Sequence, residues 1–94
     1  MPGYDRAELT AELRVVPSPE AESPPREQVE AARRAASDSG LAREAGPETT
    51  VLAGGRKEVL EATMKTVEAA LDAGAHAVEV KVEAEGESER FSGD

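Results

Sequence analysis

The 94-residue chain carries 20 Asp and Glu against 11 Lys and Arg, a formal net charge of −9. The apolar share is 38%, but 17 of those residues are Ala, and the larger ones are nine Val, six Leu, two Met, one Tyr and one Phe. No Cys and a single His, His76, exclude disulfides, thiolate-ligated metals, thiol catalysis and a His relay within one chain.

Residues 1–6 read as a polar lead-in. From Ala7 to Val16 the sequence alternates, with Leu9, Ala11, Leu13 and Val15 on one face and Thr10, Glu12, Arg14 and Val16 on the other. Period two over this length predicts a half-buried strand. Pro17, Pro19, Pro24 and Pro25 then stop regular structure, and Pro17 to Pro25 reads as a linker. A first helix is predicted from there, with Ser23 as N-cap, proline in the first turn and Glu27 at the positive end of the dipole. Val29, Ala32 and Ala36 form its narrow apolar stripe, and Gly40 suits the position after its last turn.

Leu41 to Ala45 is predicted as a short strand, Gly46-Pro47-Glu48 as a turn, and Thr49 to Ala53 as a β-branched strand. Gly54-Gly55 ends the hairpin. A second helix is predicted over Arg56 to Ala73. Val59, Leu60, Thr63, Met64, Val67, Ala70 and Leu71 recur at helical spacing. Lys57, Glu61, Lys65 and Glu68 sit at pairing distance on its other face. Gly74 closes it. His76 to Ala84 alternates again, with Val78, Val80, Val82 and Ala84 against Ala77, Glu79, Lys81 and Glu83. The acidic segment 85–94 is expected to be mobile.

The order is βαββαβ. It predicts an α+β, ferredoxin-like single domain (1–94, core about 8–84) with a four-stranded antiparallel sheet and both helices on one face. The first and third strands belong in the centre. A chain this short buries only about 60–65% of its unfolded surface. A core of Val, Leu and Ala is thin, so self-association is expected.

The helix-free face should expose Thr10, Glu12, Arg14, Val16, Glu79, Lys81 and Glu83. It reads either as a solvated face or as a surface for self-association or a polar ligand. Glu12 and Glu79 form the one carboxylate pair with acid–base potential, but no nucleophile–base constellation accompanies them, and no enzyme activity is expected. His76 fits a turn histidine or a ligand contact. Gly54-Gly55-Arg56-Lys57 fits a plain strand-to-helix turn or an anion-holding one. The acidity fits salt adaptation or simple solubility. It disfavours nucleic acid and anionic lipid as partners, and Tyr4 and Phe91 supply no stacking platform. No apolar run is long enough to span a membrane and no signal peptide is visible, so a cytoplasmic location is expected.

Three segments carry a family resemblance: Ala11-Glu12-Leu13-Arg14-Val15-Val16-Pro17; Ser39-Gly40-Leu41 with Pro47, Thr50 and Gly54; and Glu58-Val59-Leu60-Glu61-Ala62 leading to Ala73-Gly74-Ala75. In order and spacing the chain resembles the small thiamine-binding proteins of the YkoF-like group over roughly residues 8–84. The resemblance implies a ferredoxin-like domain that assembles as dimers or tetramers. It also implies binding of thiamine or a related pyrimidine, with no cofactor and no known reaction. The family's second-strand turn reads Thr-Pro-Met-Gly-Thr. Here it reads Gly46-Pro47-Glu48-Thr49-Thr50, matching at Pro47 and Thr50. Gly46, Glu48 and Thr49 depart from it, and with thiamine as the implied ligand its chemistry makes Glu12, Glu48, Thr49 and Thr50 the expected ligand-binding residues. Glu12 or Glu48 would neutralise the thiazolium, and the threonine hydroxyls would meet the aminopyrimidine. A second subunit is expected to complete the pocket. The alternative is a structural or regulatory oligomerisation module without a small-molecule ligand.

Overall fold

The computed structural model describes residues 8–43, 46–47 and 49–84. Strand β1 (Leu9–Val16) leads to helix α1 (Pro25–Ser39), strands β2 (Ala42–Arg43) and β3 (Thr49–Gly54), helix α2 (Arg56–Asp72) and strand β4 (Ala77–Ala84). The sheet order is β2-β3-β1-β4, with every neighbouring pair antiparallel. This is the ferredoxin-like α+β arrangement, with β3 and β1 central as the βαββαβ order required. The predicted mobile ends, 1–7 and 85–94, lie outside the described residues.

Alternation in β1 produces its burial pattern. Leu9, Ala11, Leu13 and Val15 are buried, and Glu12 and Arg14 are exposed. Leu9, Ala11 and Leu13 pack with Leu52 of β3, Ala36 of α1 and Val59 and Ala62 of α2. Val15 packs with Val29 and Ala32 of α1 and Ala70 of α2 in a second cluster. Alanines at the helix contacts let both helices sit close to the sheet.

Three local expectations are corrected. The N-cap of α1 is Pro24, and no side chain caps it. Ser23 instead turns its carbonyl to the Gln28 amide. The Pro17–Pro25 stretch is not a free linker. Gln28 is completely buried, accepts from the Ser18 N–H at 2.8 Å, and donates to the carbonyls of Ser18 and Ser23, each at 2.8 Å. One side-chain amide thus anchors the segment at both ends.

The third correction concerns α2. Its fully buried residues are Val59, Ala62, Thr66 and Ala70, while Leu60, Met64 and Leu71 are exposed. Close approach of α1 selects the small Ala62 for the core. Thr66 is accommodated because its hydroxyl donates to the Ala62 carbonyl at 2.8 Å, one turn back. The expected Lys–Glu pairs along α2 do not close. Among the described residues the ion pairs are Arg14–Glu79 and Lys81–Glu83, on the sheet.

Two glycines have a steric reason. Gly40 ends α1 at φ 79°, donating its N–H to Ser37. Gly74 has φ 107°, and a Cβ there would lie 2.6 Å from the Ala21 Cβ, so the turn after α2 packs on the proline-rich segment.

Candidate ligand-binding site

Strand register decides which predicted residues can act together. Side chains directly opposite each other on paired strands share a face. Glu12 lies between Val51 of β3 and Lys81 of β4, and Arg14 lies between Thr49 and Glu79. Glu12 and Thr49 are therefore diagonal neighbours on the open face. Arg43 of β2 extends the Glu12 row beyond Val51. The row reads Arg43, Val51, Glu12, Lys81, a carboxylate flanked by cations. In the next row Arg14 Nη1 donates to Glu79 Oε1 at 2.9 Å, with both side chains more than half exposed. Glu12 and Glu79 both face solvent, and Arg14 engages the second, which is not the enclosed setting an acid–base pair uses.

Thr50 is opposite Leu13, on the helix side, and is 5% exposed. Adjacent strand residues point to opposite faces, so Thr49 and Thr50 cannot both reach the open face from the sheet. They converge only at the sheet edge. There, Thr49, Thr50, Ala42, Arg43, Arg33 and Ala36 line a cavity of about 220 Å³. Glu48, the fourth predicted residue, lies outside the described residues.

Arg33 shapes this edge, and sequence reasoning passed over it. Its guanidinium donates to the carbonyls of Gly46 and Pro47, each at 2.6 Å, tying the turn before β3 to α1. A helix arginine reaching a turn 13 residues on leaves no periodic signal. The two remaining motifs resolve plainly. His76 is an exposed turn residue whose backbone N–H donates to Val16 at 2.9 Å. At the Gly54-Gly55 turn, the position an anion would take is filled by the chain's own Glu8, whose Oε1 accepts from the Arg56 N–H at 2.9 Å. Among the described residues no group of His, Asp or Glu is arranged to hold a metal ion, and no helix is long and apolar enough to cross a membrane.

A small ferredoxin-like domain with a polar open sheet face and an edge cavity is a scaffold for binding. The chain belongs to the thiamine-binding protein family, whose model matches residues 11–90. A solved structure of a domain of unknown function, DUF77, from Bacillus cereus is similar in fold. It shares 26% identity with a TM-score of 0.64, covering 86% of this chain and 77% of its own. No curated protein matches the chain.

Proposed function

We propose that this protein is a non-catalytic binder of thiamine or a related pyrimidine, and that β3 and the turn before it form the recognition edge. Family membership over residues 11–90 carries the reading. The charge pattern supports an orientation. Arg33 and Arg43 line the edge cavity and repel a thiazolium, so that end takes the neutral aminopyrimidine, with Thr49 and Thr50 supplying hydroxyl groups. The cationic ring is then directed over the open face toward Glu12, diagonal to Thr49. Glu48, in the same turn, is the second candidate carboxylate. Self-association and a cytoplasmic location belong to the same reading. The ligand-free oligomerisation module is the weaker alternative, because it gives no role to the edge cavity that Arg33, Arg43, Thr49 and Thr50 line.

Calorimetric titration with thiamine tests the proposal. Saturable heat is expected, weakened several-fold by Glu12→Gln and by Thr49→Ala while the circular dichroism spectrum is unchanged. Absence of binding at millimolar thiamine overturns it. Thr49 is the better probe than Thr50, whose burial makes its substitution a core change.

A further inference from the structure

The cations of this acidic chain are not spread evenly. Residues 26–43 hold Arg26, Arg33, Arg34 and Arg43 against Glu27, Glu30 and Asp38, a net positive stretch in a chain of −9. Arg33 and Arg43 line the edge cavity with Thr49 and Thr50, and no described carboxylate lines it. Arg26 and Arg33 line a neighbouring cavity of about 370 Å³ beside Pro47, so Arg33 is a wall the two share. Arg26, Val29, Arg33 and Ala36 recur at helical spacing, which runs the furrow along one face of α1. Among the described residues neither Arg33 nor Arg43 has an ion-pair partner. Arg33 is nonetheless held in place. Its Nη2 directs both hydrogens to the Gly46 and Pro47 carbonyls, which leaves the N–H groups of Nε and Nη1 for another acceptor. A guanidinium fixed in this way loses little freedom when that acceptor arrives.

Resting on the reading of this edge as a pyrimidine site, we infer that the cavity takes a pyrimidine bearing a phosphate monoester, with Arg33 and Arg43 as the anion-binding residues. Two guanidiniums repel a thiazolium, but they do more for a phosphate. The monoester carries up to about two negative charges near neutral pH, and its oxygens match the planar guanidinium fork. Thr49 adds a hydroxyl donor at the same cavity. Glu30 lies between Arg26 and Arg33 on α1, so the anion belongs at the Arg43 end, away from that carboxylate. Charge also sets the direction in which the ring lies. In thiamine the pyrimidine's methylene carries the thiazolium and turns toward Glu12. With a phosphate on the same methylene the ring turns round, and the methylene faces Arg33 and Arg43. The long-range repulsion from the acidic remainder of the chain is screened within about 10 Å at 0.1 M salt, whereas direct contacts with the two arginines are shorter than that.

Calorimetric titration of the full chain tests this with the hydroxymethyl alcohol of the aminopyrimidine, the phosphate monoester of that alcohol, thiamine, thiamine monophosphate and inorganic phosphate. The pyrimidine monoester should bind roughly tenfold or more tighter than the alcohol. Arg43→Gln should remove that advantage. Arg34→Gln, the same loss of charge at an exposed position outside both cavities, should keep it. Arg43 is a cleaner probe than Arg33, whose loss also releases the turn before β3, and urea unfolding of each variant confirms that the fold is kept. Equal affinity for alcohol and monoester overturns the phosphate site and leaves the pyrimidine reading standing. An advantage that survives Arg43→Gln overturns it too. Tighter binding of thiamine monophosphate than of the pyrimidine monoester puts the phosphate on the thiazole arm and overturns its placement on the pyrimidine. Binding of inorganic phosphate as tight as that of the monoester, with no heat from alcohol or thiamine, supports the arginines as an anion site and overturns the pyrimidine reading. No heat from any of these compounds overturns both.

Discussion

Gln28 is the side chain whose loss should be felt most widely. Its amide makes three hydrogen bonds to the backbone of the proline-rich segment from a fully buried position. Gln28→Ala leaves those backbone groups without their partner and opens space beneath them. The expected cost is about 2–3 kcal/mol in urea unfolding. The Ser18 amide should also lose hydrogen-exchange protection before the sheet does, and unchanged protection there would mean the segment is held by other contacts. The sequence did not reveal this role. A glutamine among Arg26, Glu27 and Glu30 looks like one more solvated position, and the hydrogen bonds it makes depend on the path of the preceding loop. Thr49 and Thr50 differ in this respect. Strand alternation alone already required them to face opposite ways, and the register shows that Thr49 is the one beside Glu12.

Among the elements, β1 was the most legible, because strict alternation in a central strand leaves one choice of buried face. Helix α2 was legible in extent but not in orientation. Its apolar sector is wider than the part its own chain covers, and periodicity does not distinguish a flank against the sheet from one beyond its edge. Leu60, Met64 and Leu71 share the helical spacing of Val59 and Ala70 and yet lie outside the core. The start of α2 follows another rule that local sequence hides. Gly55 offers no side chain to cap the helix, and Glu8, 48 residues before Arg56, supplies the carboxylate. Glu8→Ala should cost about 1 kcal/mol by exposing an uncapped N–H at the positive end of the dipole. Glu8→Gln, which keeps an acceptor but not the charge, should cost less, and thermal melts of the pair would separate the two contributions. Equal melting temperatures for wild type and Glu8→Ala would show that water replaces the carboxylate without loss.

For the molecule as a whole, the formal charge of −9 acts on folding. The two ion pairs among the described residues lie on the exposed sheet face, where screening by solvent leaves each worth little. Repulsion among the remaining carboxylates is spread over the surface and extends over distances that salt controls. Between about 0.01 M and about 1 M salt the screening length falls from ~30 Å to ~3 Å. The repulsive part therefore fades faster with salt than the contacts of the apolar core, which do not depend on charge. Raising sodium chloride over that range should increase the melting temperature by several degrees, since about 1 kcal/mol shifts a domain of this size by ~4–8 °C. A melting temperature that falls with sodium chloride would mean that attractive surface pairs dominate this fold, and the acidity would then need a local rather than a global explanation.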